Sequence, residues 1–227
     1  MKLPEPPLLV ITDRHQARLP LEEIAEAVFA AGCRWLSLRE KDLLPVERLV
    51  LLERLRVLAE PWGATVGVHG DLQAARAVPE VALHLSAGEV AGAARAALGP
   101  ERLIGRSAHV GDPLARPDVA ELDYVTLSPV FASASKPGYG PALGLAGLAA
   151  AVRGAVVPVI ALGGVGVGNL RACLEAGPAG VAVMGEVMRA ADPGGVVAAM
   201  VAVWEEVEVR SVSHREPPRT HGDPQRF

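Results

Sequence analysis

Cysteine is scarce in this chain. There are two in 227 residues, Cys33 and Cys173, too few for a disulfide framework or a cysteine-based metal cluster. Both sit in apolar helical contexts, AAGC and RACL, and are expected to be buried small hydrophobes. No run of Lys and Arg interrupts the body, and the formal net charge is -4. That pattern excludes an electrostatic footprint for nucleic acid. No apolar stretch reaches the ~20 residues of a bilayer-spanning helix before Gly, Pro or a charge breaks it. The opening residues, MKLPEPPLLVITD, lack the apolar segment of a signal peptide. A soluble cytoplasmic protein with neither membrane nor nucleic-acid partners is expected. Residues 211–227, SVSHREPPRTHGDPQRF, lack apolar periodicity and are expected as a polar, flexible tail on a domain of residues 1–210. His214 and His221 in that tail have no metal-ligand spacing around them.

What is abundant is apolar sequence, 50% of the residues, arranged in short runs that alternate with helical patterns. The runs at 8–12, 35–39, 64–68, 81–85, 102–107, 123–128, 157–162 and 179–184 read as strands. Helical spacing falls at 21–31, 45–59, 72–77, 89–98, 113–120, 145–152, 167–176 and 195–209. Pro45 suits the first turn of its helix, where an N–H is not needed. Eight strand–helix units with right-handed crossovers imply a parallel sheet, and at this length a single (β/α)8 TIM barrel. An open, doubly wound sheet is the alternative.

In such a barrel ligands bind at the C-terminal strand ends, and phosphate favours the loops after strands seven and eight. Those loops carry Gly163-Gly164 and Met184-Gly185, where glycine lets backbone N–H groups approach an anion. After strand two come Arg39, Glu40, Lys41 and Asp42, two cations and two anions at the mouth. The long loop after strand six offers Ser133, Ser135 and Lys136 to an anionic oxygen. Ser107 and His109 follow strand five, and an imidazole there can both give and take a proton near neutral pH. His69 and His84, after strands three and four, are weaker candidates.

Leu38-Arg39-Glu40-Lys41-Asp42, Pro129-Val130-Phe131 with the following Lys136-Pro137 loop, Gly144-Leu145 and the Gly163-Gly164 turn resemble thiamine phosphate synthases and their relatives, the TenI-type thiazole tautomerases. The resemblance runs from about Leu8 to about Pro193. It implies a TIM barrel acting in thiamine biosynthesis on a small phosphorylated thiazole. A synthase, a transferase, would also take a pyrimidine pyrophosphate, with Mg²⁺ held by carboxylates. The Asn-Asp-Arg that synthases carry after strand three is replaced by Gly67-Val68-His69, which puts no carboxylate at Val68. After strand four only Glu89 stands where a second metal carboxylate is expected. Ile104-Gly105-Arg106-Ser107-Ala108-His109 is similar to the tautomerase string whose His shuttles the proton, whereas the stretch from Lys136 to Leu145 is closer to the synthase.

The leading expectation is therefore a cofactor-independent isomerase, a thiazole tautomerase. His109 would be its acid–base group, and Arg39, Lys41, Ser107, Ser133, Ser135, Lys136, Gly163, Gly164, Met184 and Gly185 would hold the substrate. The alternatives are a synthase using Mg²⁺ through Glu89 and a non-catalytic binder of thiazole phosphate. A homodimer is compatible with the sequence.

Overall fold

Strands β1 (Leu8–Ile11), β2 (Trp35–Leu38), β3 (Thr65–His69), β4 (Ala82–Leu85), β5 (Ile104–His109), β6 (Tyr124–Ser128), β7 (Val159–Leu162) and β8 (Gly180–Val183) form one closed barrel in chain order. The computed structural model describes residues 2–133 and 141–213. Every pairing is parallel, and β8 returns to β1 with Leu8 opposite Val181. All strand C-termini therefore open on the same face. The (β/α)8 expectation holds.

Helices α1 (Leu21–Ala30), α2 (Pro45–Ala59), α3 (Leu72–Ala77), α4 (Ala91–Leu98), α5 (Gly144–Gly154) and α6 (Leu170–Glu175) lie between strands, and α7 (Gly185–Met188) and α8 (Pro193–Ser213) follow β8. Their starts follow local chemistry. Pro45 opens α2, and the Leu44 N–H donates to the Glu47 carboxylate at 3.1 Å. Asp71 accepts from the Ala74 N–H at 2.9 Å and opens α3, satisfying one of the donors a helix start leaves unpaired.

Alternation along each strand sorts the side chains into two cores. Leu36, Leu38, Val68, Leu83, Ile104, Val125 and Val181 face the helices, against Ile24, Val28 and Phe29 of α1 and their equivalents. Leu9, Ile11, Trp35, Ala82, Tyr124, Ile160 and Ala182 fill the barrel interior. Trp35 and Tyr124 meet edge to face at 4.7 Å and close the lower barrel. Gly105 makes this packing possible, because a Cβ there would lie 2.0 Å from the Tyr124 ring.

Several boundaries differ from the expectations. Residues 113–120 form no α-helix. Pro113 and Pro117 withhold the N–H groups a helix needs, and only a 3-10 turn forms at Pro117–Glu121. β5 begins later and ends later than expected. Arg102 precedes it, with a side chain that donates to the Val81 carbonyl at 2.7 Å and the Ala75 carbonyl at 3.0 Å, so the ladder starts at Ile104 opposite Leu83. His109 is consequently the last residue of the strand rather than a loop residue. The short α7 was not anticipated, and α8 continues to Ser213, past the expected boundary at residue 210. The rest of the expected tail, with His214 and His221, lies outside the described residues, as do Ser135 and Lys136. Cys33 and Cys173 are buried. Among the described residues no helix is long and apolar enough to cross a membrane.

Candidate functional site

The C-terminal mouth holds a cavity of about 800 Å³. The strand alternation that builds the cores also decides which residues reach it. On β5, Ser107 and His109 face inward and line the cavity. Arg106, between them, turns outward, where it pairs with Asp118 at 2.9 Å and donates to the Glu89 carbonyl. On β3, His69 lines the cavity, whereas Val68 packs among the helix-facing core. Val68, the position matched to the synthase carboxylate, thus faces the helices, and the inward position at that strand end belongs to His69.

The same parity divides the charges after β2. Arg39 and Lys41 line the cavity. Glu40 is turned away and buried, 2% exposed. Its Oε1 accepts from the Thr12 hydroxyl at 2.7 Å, and its carboxylate accepts from the Arg14 backbone N–H at 3.2 Å. Thr12 Oγ1 in turn accepts the Arg39 backbone N–H at 2.9 Å. Asp42 pairs with the Arg14 guanidinium at 2.6 Å and with His15 Nε2 at 2.8 Å. The Arg14 guanidinium, then the His15 ring, hold the Asp42 carboxyl well below the usual carboxylate range. Both carboxylates of this string therefore act as braces. Neither Arg39 nor Lys41 has a carboxylate partner among the described residues.

Below the mouth lies a polar layer. His84 is 1% exposed. Its Nδ1 stands 2.9 Å from the Tyr124 hydroxyl, and its Nε2 stands 3.0 Å from Ser107 Oγ and 3.3 Å from Thr126 Oγ1. Burial first, and the Arg39 charge second, push the His84 pKa down to about 3. Burial also pushes the Tyr124 phenol well above its usual range. His69 lies over His84 with ring centroids 4.3 Å apart. Desolvation, then His84, Arg39 and Lys41, lower its pKa as well. Its Nε2 is shielded and has no hydrogen-bond partner among the described residues.

Across the ring, the β7 loop is shaped by close contact with the loop after β6. Gly163 and Gly164 have φ of 96° and 64°, a region that strains any side-chain-bearing residue. A Cβ on Gly164 would lie 2.4 Å from the Ala132 carbonyl. The Phe131 N–H donates to the Gly163 carbonyl at 2.9 Å, and Asn169 Nδ2 donates to the Gly164 carbonyl at 2.8 Å. Met184 and Gly185 complete this side of the wall.

Of the expected residues, Arg39, Lys41, Ser107, His109, Ser133, Gly163, Gly164, Met184 and Gly185 all line this one cavity. Glu89 does not; its carboxylate accepts the Ser86 backbone N–H. His84 sits beneath the wall rather than in it. Sequence reasoning missed Ser86, Ser128, Glu186 and Arg189. The first two follow from extending the inward parity of β4 and β6. Arg189 lies one helical turn past Gly185 and could have been found only by anticipating α7.

The metal expectation fails on the donors. Mg²⁺ takes oxygen ligands, carboxylates among them. The single carboxylate in the described wall is Glu186, at the β8 end, and no group of three or more His, Cys, Asp and Glu converges among the described residues. These residues do not fit a carboxylate-held Mg²⁺.

The family described as thiamine monophosphate synthase matches residues 8–187. A putative thiamine-phosphate synthase of Geobacter sulfurreducens is 36% identical over 198 residues, covering 86% of this chain and 93% of the relative. The thiamine-phosphate synthase of Moorella thermoacetica is 36% identical over 206 residues, covering 89% of this chain and 95% of the relative. The solved thiamine phosphate pyrophosphorylase of Pyrococcus furiosus superposes with a TM-score of 0.74 at 26% identity, covering 88% of this chain and 96% of its own.

Proposed function

The chain belongs to the thiamine monophosphate synthase family, and from that premise we propose that it is a transferase of the thiamine-phosphate synthase type. It joins a pyrimidine carried on a diphosphate to a thiazole phosphate and releases diphosphate. The observation that carries this reading is one cavity with anion-receptive groups on two sides. Backbone groups of Gly163, Gly164 and Gly185 receive the thiazole phosphate, with Ser133, and with Ser135 and Lys136 from the loop beyond it. Arg39 and Lys41 receive the diphosphate. Arg39 and Lys41 follow β2, three strands round the eight-strand ring from β7, so the two anions are held apart while the rings meet between them. About 800 Å³ lies high in the range of roughly 300–1,000 Å³ that takes one drug-sized ligand, which suits two small ones. Ser107, anchored by His84, and His109 border the space between.

The names of the relatives support this transferase over the tautomerase expected from the sequence. One observation favours the tautomerase as a second reading: His109 lines a wall that, among the described residues, offers a metal no carboxylate pair. In that reading His109 moves the proton that aromatises a thiazole carboxylate phosphate, and Arg39 and Lys41 face the carboxylate.

The test gives the purified protein each substrate set in turn. Joining of pyrimidine diphosphate to thiazole phosphate is the expected result. Aromatisation of the thiazole tautomer without joining, abolished in His109→Asn, would replace the first reading with the second. Saturable binding of thiazole phosphate with neither reaction would overturn both in favour of a binding protein.

A further inference from the structure

We propose that the β2–β3 side of the mouth holds a diphosphate-class anion directly, through Arg39, Lys41 and His69, with no divalent cation between protein and ligand. The identity of the anion rests on the transferase reading; the absence of a bridging metal rests on the wall itself.

Four carboxylates stand near enough in sequence to hold a cation here, and each is engaged elsewhere; Asp71 caps α3 and pairs with Arg48 at 2.9 Å. Glu40 is buried against Thr12 and Arg14. Asp42 is paired with Arg14 and His15. Glu89 accepts from Ser86. The inward position at the end of β3 carries an imidazole, His69. A carboxylate placed one residue earlier, at Val68, would point into the helix-facing core.

What this side offers instead suits an anion. Arg39 and Lys41 lie close enough to His69 for their charges to disfavour its protonation. All three side chains line the same cavity, and burial together with the two cations keeps the ring neutral. A neutral imidazole still donates one N–H. His69 Nε2 is shielded and has no partner among the described residues. A buried nitrogen in that state carries a cost that a ligand oxygen or a water removes. Arg39 supplies a planar fork and Lys41 a point charge, the two common ways of binding phosphate oxygens.

The experiment titrates inorganic pyrophosphate into the full chain by calorimetry, once in EDTA and once in Mg²⁺. Saturable binding of the same affinity in both is expected. Lys41→Met should weaken it by about ten-fold or more, the usual effect of losing a charge-assisted contact. Lys41 is exposed, so that variant keeps the fold, and an unchanged melting temperature verifies it. His69→Phe, which keeps ring size and removes the N–H, should weaken binding about five-fold or more. Binding that requires Mg²⁺, binding unaffected by both substitutions, or no binding in EDTA would each overturn the proposal. The outcomes separate the two readings. Metal-free binding without substrate joining leaves this inference standing and removes the transferase. Joining that depends on Mg²⁺ does the reverse.

Discussion

Replacing His84 by Gln should flatten the acid limb of the stability profile. In the native barrel the His84 ring is held neutral down to a pH of about 3, between the Tyr124 hydroxyl and Ser107. In the unfolded chain it titrates near its ordinary value of about 6.5. Between those two values the unfolded state binds the additional proton, so stability falls as pH falls. It is fully present above about pH 6.5 and lost progressively toward about pH 3. The slope for one such group is about 1.4 kcal/mol per pH unit. Two units below the unfolded value, near pH 4.5, the cost is about 2.7 kcal/mol. That figure is insensitive to where, below about pH 4, the folded ring finally protonates. In a chain of this size it corresponds to a fall of about 5–11 °C in melting temperature. Thermal melts of the native protein and His84→Gln across pH 7 to about 4.5 measure it, since carboxylate titrations common to both cancel in the difference. The variant loses hydrogen bonds and melts lower at neutral pH, so the comparison is between slopes. Parallel slopes, or an imidazole nitrogen signal for His84 titrating near pH 6.5 in the folded protein, would refute the reasoning.

Two further substitutions probe the walls of the mouth. Glu40→Ala removes a buried carboxylate from Thr12 and Arg14 and should cost about 3–5 kcal/mol in urea unfolding. Glu40→Gln should cost less, and a loss below about 1 kcal/mol for Ala would show that the brace contributes little. Gly164→Ala meets both a left-handed backbone and the Ala132 carbonyl at 2.4 Å. It should destabilise by at least about 1–2 kcal/mol and weaken thiazole phosphate binding in a direct titration; native-like affinity would remove this loop from the phosphate site.

Much of this protein follows from local chemistry. Strand and helix periodicities specify eight units, because alternation and 3.6-residue spacing are properties of short segments. Bounds such as Pro45–Ala59 and Leu72–Ala77 are written in a proline at a first turn and an aspartate that caps. Gly163-Gly164 and the Arg39–Asp42 string mark the mouth for the same reason: special backbone and clustered charge announce themselves one segment at a time. Parity is different. Whether Val68 or His69 faces the ligand depends on strand register, and a one-residue shift exchanges the two faces. The sequence comparison attended to Val68, and closure of the barrel put His69 inside. Likewise Glu40 and Lys41 are neighbours in the chain, yet one braces Thr12 and the other lines the cavity. His84, Tyr124 and Ser107 come from three strands, and nothing in any one of them signals the others. The amino-acid sequence by itself determined the barrel and the position of its mouth. Only the closed sheet decided which charges the mouth presents, because inward and outward are defined by the ring of strands as a whole.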